Sequence, residues 1–436
     1  MEKYGHTIKK SLLGFILLVL ILPLLQQHVR FYDPEPLKGY HIPKEKIWFS
    51  KAAWFDGTYQ EAYNDWHNEN FGFRNECVRI YNQVAFNLYN IAKANDVVIG
   101  KENYLYELNY VKAYCGTDFV GEPQLVEWTT QLKALQDSLE KKNVTLVVCL
   151  AAGKASFYPE YIPDDYGPGA DVTNYKRLSA LLKQYDVNHI DYNAWFMQMK
   201  GKTEYPLFPK TGIHWSRYGA MFAVDSLVKY VEHKRGIDMP GVVWEKSTLA
   251  DTITQPDDDI GEAMNLMWPI TPLKMGEPKY HWEDTTGKTM PTLMAVSDSY
   301  FWTMFEGLRT NTFKDIAFYY YNKEIFRATG GQKILAEPDI AMYETGSNDV
   351  VMIMATEANM WGIGWGYIQD AFNHFVAHKA IPERDLLARK YEMRIRIDDV
   401  WMEAIRKKAA ERNIDVETMI KMDAAYLADE ELKNKK

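Results

Sequence analysis

Thr292-Leu293-Met294-Ala295-Val296-Ser297-Asp298-Ser299-Tyr300 is an unbroken apolar run that ends abruptly on Ser-Asp-Ser-Tyr. Residues 292–296 suit a strand covered on both faces, where no polar alternation is needed. A serine at the turn into the next helix stands at the sheet's carboxyl edge, beside helix N-terminal amides that can stabilise an oxyanion. Taken alone, Asp298 and Ser299 fit an ordinary helix N-cap as well as a reactive site.

Similar runs recur on either side. Val144–Leu150, Val187–Tyr192, Ile316–Tyr321 and Val350–Met354 read as further strands. Between them lie helical patterns. Leu125, Trp128, Leu132, Leu135 and Leu139 repeat at spacings of three and four, which puts them on one face. Asn174–Tyr185 reads as a helix, and another opens near Ser216 and runs to about Val231. Strands alternating with helices predict an α/β fold, a three-layer α/β/α domain with a mainly parallel sheet over residues 96–380. Ligands of such open sheets sit at the carboxyl ends of the strands.

Outside this pattern, residues 31–95 read as a stalk (31–50) and a helical lead-in, with helices over 58–69 and 75–93. Residues 97–106 suggest two short strands about a turn. Residues 235–290 hold Pro240, Pro256, Pro269, Pro272 and Pro278 and read as an irregular insertion. Its Asp257-Asp258-Asp259 is expected to be a solvated loop, not a metal site. Residues 381–436 read as a helical tail with Trp401, Ile405 and Ala409 on one face and charges of both signs outside. Gly362-Ile363-Gly364-Trp365-Gly366 lacks the spacing and the later acid of a nucleotide fingerprint.

A second chemical segment is Lys210-Thr211-Gly212-Ile213-His214-Trp215-Ser216-Arg217-Tyr218-Gly219-Ala220. His214 stands just before a helix start and beside Trp215. Its ordinary pKa is near neutrality, so it can take a serine proton and return it. Lys154, after the strand 144–150, falls at the sheet's functional edge, where it either touches a substrate or supports the structure.

Taken together, these segments resemble the SGNH-hydrolase-like family of alginate-type polysaccharide O-acetyltransferases. The matches are Lys210, Thr211, His214, Trp215, Gly219 and Ala220, then Asp298, Ser299 and Tyr300. Asn70-Phe71-Gly72-Phe73-Arg74, Val98-Ile99-Gly100-Lys101, Ala152–Ser156 and Tyr158–Pro163 follow the family's order, so the resemblance spans residues 55–360. It implies Ser299 as nucleophile and His214 as base, with Lys154, Trp215, Asp298 and Tyr300 in the substrate or oxyanion region. It implies polysaccharide O-acetylation, a glycan acceptor, and a membrane-embedded acyltransferase that hands acetyl groups to this domain. Simple acetyl-ester hydrolysis is the same chemistry with water as acceptor.

One position departs from the family. Its triad acid lies two residues before the histidine, and here that residue is Gly212. Three readings follow: a carboxylate from elsewhere, with Glu357 and Glu344 as candidates; a Ser–His dyad held by a backbone carbonyl; or a silent subunit that binds glycan or serves as a scaffold. Losing the acid costs on the order of 10⁴ in rate where that has been studied.

Residues 1–30 form a candidate anchor. Lys3, Lys9 and Lys10 precede Ser11–Leu25, an uncharged run that as a helix spans about 22 Å against a bilayer core of about 30 Å. No small-x-small site follows, so an uncleaved signal anchor is expected, with a cleaved signal and a buried soluble helix as alternatives. The lysines put the N-terminus in the cytoplasm and the remainder outside, as a single-pass protein of a bacterial inner membrane facing the periplasm. The formal net charge of −9, with no basic patch, argues against nucleic acid. No cofactor or metal pattern is present. Cys77, Cys115 and Cys149 allow one disulfide, Cys77–Cys115, or three unpaired thiols. Aromatics at 14% suit either a sugar groove or an aromatic core.

Overall fold

The computed structural model describes residues 2–39, 44–309, 311–330, 334–380 and 382–434. Residues 40–43 of the expected stalk lie outside the described residues. The strands, in chain order, are β1 Val97–Ile99, β2 Leu105–Glu107, β3 Thr145–Ala151, β4 His189–Asp191, β5 Val242–Trp244, β6 Thr248–Leu249, β7 Gly276–Glu277, β8 Tyr280–Trp282, β9 Thr292–Ser297, β10 Asp315–Tyr320, β11 Glu324–Arg327, β12 Ile334–Leu335 and β13 Val350–Thr356.

Seven of them form the main sheet in the order β12-β11-β10-β9-β13-β3-β4. From β10 to β4 every neighbour is parallel, while β10–β11 and β11–β12 are antiparallel. The sheet is thus parallel over five strands with an antiparallel edge. That edge was not foreseen, because Glu324–Arg327 and Ile334–Leu335 are too short and polar to read as strands.

The unbroken apolar runs have a simple cause. Alternate residues of β9, β13 and β3 enter different cores. Leu293, Ala295, Met352 and Met354 join one, with Val224, Leu227 and Phe301. Met294, Val296, Val351 and Ile353 join the other, with Leu132, Leu135 and Tyr367. The helices Arg217–Arg235 and Phe301–Leu308 supply the first layer, and Glu122–Glu140 and Tyr367–Phe375 the other. The chain steps one way from β3 to β4 and the other way from β9 to β10, and Ser299 follows β9 beside this reversal.

The insertion is more ordered than expected. β5 pairs with β8 and β6 with β7, and a short helix covers Asp259–Ala263. That helix is tied to the histidine loop by Gly261 N–H donating to Thr211 O at 2.8 Å. Three helices close the chain, Glu383–Ile397, Asp399–Arg412 and Val416–Asn434, around a small core of Ile395, Ile405, Ala409, Met419, Ile420 and Ala424.

At the other end, the helix Glu2–Val29 contains His6–Val29, long and apolar enough to cross a membrane, with a mean hydropathy of 2.2. The chain then lies across the helix Arg74–Tyr89, where Asn75 and Arg79 both donate to Glu35 O at 2.9 Å. All three cysteines are free.

Candidate active site

The turn after β9 is fixed by Asp298. Its buried carboxylate accepts from Tyr300 N (3.1 Å), Thr356 N (2.8 Å), Thr356 Oγ1 (3.0 Å) and Asn359 Nδ2 (2.9 Å). These bonds tie the turn to the end of β13 and leave Ser299 standing at the sheet's carboxyl edge. Burial raises the Asp298 pKa, opposed by the hydrogen bonds, which favour the charged form.

His214 is held from three sides. Tyr300, fully buried, donates its hydroxyl to Ile213 O at 2.5 Å, and its ring lies 4.8 Å from the His214 ring. Ser216 caps the following helix by accepting from Gly219 N at 2.9 Å. Lys154 Nζ donates to Leu105 O (2.6 Å), Lys210 O (2.8 Å) and Gly212 O (2.6 Å). Three carbonyls match the three protons of an ammonium. Burial nevertheless pushes the Lys154 pKa down to about 7.

The carboxylate against His214 belongs to Asp259. Its Oδ2 lies 2.5 Å from His214 Nδ1, and its Oδ1 accepts from Ile213 N at 2.8 Å. On the other side of the ring, His214 Nε2 is 2.9 Å from Ser299 Oγ. The His214 and Asp259 side chains are only 19% and 18% exposed. Burial works against a charged imidazole, but the hydrogen bond and charge of Asp259 outweigh it and raise the His214 pKa above its ordinary value. The other two acids of the trio brace the same loop. Asp257 accepts from Arg217 N at 3.1 Å, and burial raises its pKa to about 7. Burial likewise raises Asp258 to about 6, partly offset by the nearby Thr211 hydroxyl.

Ser299, His214 and Asp259 line a cleft of about 510 Å³ together with Arg217, Trp302 and Glu306. Across the turn, the Tyr321 side chain lies close to Ser299, and Tyr321 N donates to Ser297 O at 2.8 Å. Tyr321 adopts a left-handed backbone with φ 50°, a strained conformation for a bulky residue and one that clusters at functional sites.

Residues 97–273 match the family model described as "SGNH hydrolase-like domain, acetyltransferase AlgX". The chain carries an SGNH hydrolase-like domain. The matched segment contains His214 and Asp259 and stops short of Ser299. A curated relative, the probable alginate O-acetylase AlgJ of Pseudomonas putida, is 22% identical over 179 residues. That alignment covers 41% of this chain and 45% of AlgJ, so the chain spans less than half the length of that relative. The solved O-acetyltransferase domain of P. putida AlgJ aligns with 64% of this chain and 99% of its own, with 18% identity and a TM-score of 0.42. Pseudomonas aeruginosa AlgX aligns with 63% and 67%, with 13% identity and a TM-score of 0.42. Bacillus cereus PatB1 with a sulfonyl adduct aligns with 63% and 99%, with 11% identity and a TM-score of 0.39.

In the SGNH hydrolase-like domain, Ser299 and His214 come together, and the two candidate acids fall elsewhere. Glu357 faces Ser156 Oγ at 2.8 Å and packs on Gly153, and burial raises its pKa to about 7. Glu344 accepts from the Tyr319 hydroxyl at 2.9 Å and pairs with Arg327. Tyr319 points into the sheet face opposite Tyr300 and Trp215. Neither acid orients His214, because Asp259 already occupies Nδ1. Lys154, Trp215, Asp298 and Tyr300 are all buried, so they shape the site from behind and present no surface to a substrate. The expected solvated loop is corrected too: Asp257 is buried and Asp259 nearly so, since each meets backbone donors of residues 213–217.

Sequence reasoning missed Asp259 and Tyr321. Asp259 lies 45 residues after His214, and a triad is defined by geometry, not by spacing. The available signal was an acidic trio in the insertion while Gly212, two residues before His214, carried no acid. Tyr321 gave none, because its backbone conformation cannot be read from sequence.

Proposed function

We propose that the chain is an extracytoplasmic O-acetyltransferase that modifies a polysaccharide through an acetyl-Ser299 intermediate. The observation that carries this reading is the array Asp259–His214–Ser299, with contacts of 2.5 and 2.9 Å opening on a cleft. Ser299 Oγ attacks the acetyl carbonyl of the donor while His214 Nε2 takes its proton. The donor's ester bond breaks, and the leaving oxygen receives that proton. A glycan hydroxyl then gives its proton to His214 and attacks the acetyl-serine, and Ser299 leaves with the proton returned. Asp259 keeps Nδ1 protonated and stabilises the imidazolium. In this reading the Ser299 amide and the Tyr321 hydroxyl stabilise the oxyanion.

The silent-subunit reading drew on the absent carboxylate at position 212. Asp259 at His214 Nδ1 favours the active reading. The match to an acetyltransferase family model and the names of its relatives favour acetyl over other acyl groups. The N-terminal apolar helix suits a single-pass anchor in a bacterial inner membrane with the domain in the periplasm. A membrane-embedded acyltransferase would supply the acetyl groups.

The test is incubation with a chromogenic acetyl ester, followed by mass spectrometry of the intact protein and its peptides. A 42 Da adduct on the Ser299 peptide is expected, absent from Ser299→Ala. Turnover by Ser299→Ala at the wild-type rate would remove the nucleophile. Transfer to oligosaccharide in preference to water separates a transferase from an esterase.

A further inference from the structure

We infer that the helix Arg74–Tyr89 lies in the surface of the lipid bilayer, with Ile80, Tyr81, Val84 and Leu88 turned into the acyl boundary. The inference rests on the single-pass anchor proposed above and adds a second membrane contact and the face that makes it. The helix precedes residues 97–273, the segment matched by the family model.

This helix is inside out. Cys77, Ile80, Tyr81, Val84 and Leu88 fall at spacings of three, one, three and four, within one arc of about 100°. All five are exposed, the last four by 44% to 71%. The opposite face is polar and meets the protein. Asn82 Nδ2 donates to Met264 O at 2.9 Å, and Gln83 Oε1 accepts from Trp268 N at 2.9 Å. Asn75 and Arg79, on the same side, hold the Glu35 carbonyl. A helix facing water shows the reverse arrangement, because apolar surface left in water costs about 25 cal/mol per Å². Lipid on the outer side removes that cost.

The anchor sets the depth. Gly72, two residues before this helix, packs so closely that a β-carbon there would lie 2.2 Å from Pro23 O. Pro23 stands two residues before the end of the run Ser11–Leu25, a rise of about 3 Å along the helix axis. With the anchor across the bilayer, the helix Arg74–Tyr89 begins at the edge of the hydrocarbon, where lipid is the neighbour at hand.

The surroundings have the composition of a membrane interface. Trp48, Phe49, Trp54 and Phe55 are exposed in and just before the helix Lys51–Asp56. Tryptophan and tyrosine collect at the headgroup level, where an amphipathic ring meets both apolar chains and water. Lys93 Nζ lies 5.1 Å from the centre of the Tyr81 ring. Its methylene stem can cover the edge of the stripe while its ammonium reaches the headgroups.

The full chain, reconstituted in vesicles of phosphatidylethanolamine and phosphatidylglycerol, tests this with no other protein present. Cys77→Ser and Cys115→Ser remove the two thiols that are not fully buried. A nitroxide is then attached at Val84→Cys, at Leu88→Cys, at Leu17→Cys in the anchor, or at Tyr426→Cys on the exposed face of the helix Val416–Asn434. Its relaxation is measured with oxygen, which concentrates in lipid, and with a water-soluble nickel chelate. The oxygen-to-nickel ratio at 84 and 88 should exceed that at 426 by roughly fivefold or more and fall below that at 17, as expected about 5–10 Å into the boundary. Adding Ile80→Glu and Tyr81→Glu should bring the ratio at 84 and 88 down towards that at 426 and leave 17 unchanged. Ratios at 84 and 88 equal to that at 426, with 17 in hydrocarbon, would overturn the inference and leave the anchor standing. Exclusion of both reagents from 84 and 88 would assign the stripe to a protein contact, such as a second copy of this chain, and overturn the lipid assignment. An aqueous ratio at 17 would remove the anchor and the inference with it.

Discussion

At the scale of single residues, the site turns on Gly212 and Asp259. A β-carbon at position 212 would lie 2.5 Å from Pro256 O and 2.8 Å from Pro209 Cγ, so the space for an acid there is filled by the insertion that delivers Asp259. Asp259→Asn should lower kcat by up to about 10⁴, since the amide can hold His214 in the wrong tautomer. The pH profile gives a second readout. As the proposed base, His214 would act in its neutral form, so activity should rise with pH through a value above its ordinary 6.5, because Asp259 raises it. Removing that charge should move the acidic limb to lower pH. Adding Gly212→Asp to Asp259→Asn should restore no activity and should cost about 1–3 kcal/mol in stability by overpacking. Recovery of activity in the double variant would show that the loop makes room. Lys154→Met is predicted to abolish turnover and lower stability by several kcal/mol. It strands the buried carbonyls of Leu105 and Gly212 at about 1–3 kcal/mol each, takes one of two donors from Lys210 O, and frees the loop that carries His214.

At the scale of elements, legibility followed burial. β3, β9 and β13 could be read from sequence because both of their faces enter cores, which forces unbroken apolar runs. The insertion could not, because its strands are two or three residues long and its order comes from distant partners. Asp257, Asp258 and Asp259 look alike in sequence but meet Arg217 N, Thr211 and His214 respectively. The burial of Asp257 and Asp258 makes the insertion's docking sensitive to pH. Asp257 has a folded pKa of about 7, above its ordinary 3.8. A raised carboxyl pKa gives stability that is fully present below about 3.8 and is lost as pH rises towards 7. Asp257→Asn should therefore melt close to wild type at pH 4 and above it at pH 8, by a margin of order 1 kcal/mol or more. A margin that shrank as pH rose from 4 to 8 would reverse the sign of this argument. An asparagine can still accept from Arg217 N, so the variant isolates charge from hydrogen bonding.

At the scale of the whole molecule, the proposed anchor is built into the domain, not hung from it. Gly72, in the turn before the helix Arg74–Tyr89, has no room for a side chain. A β-carbon there would stand 2.2 Å from Pro23 O, 2.7 Å from Gln26 Cβ and 2.9 Å from Gln27 N. The last turns of the apolar helix therefore press directly on the lead-in. Glu35 and Pro36 then continue along it through the carbonyls bonded by Asn75 and Arg79. On the proposed reading, in which the acetyl group comes from a membrane-bound donor, this contact matters because a domain docked on its own anchor would keep a set height and tilt above the bilayer. The contact was invisible in sequence: Asn70-Phe71-Gly72-Phe73-Arg74 was read as a family motif, with no hint of what the glycine touches. Gly72→Leu should separate the two parts without unfolding either. The full chain should remain in membranes after alkaline carbonate washing, while trypsin should cut at Arg30 or Lys38 several-fold faster than in wild type. Core peptides from residues 145–151 and 292–297 should stay protected. Unchanged cleavage at Arg30 and Lys38 would mean that the helix does not rest on Gly72, and the anchor would then act as a flexible leash.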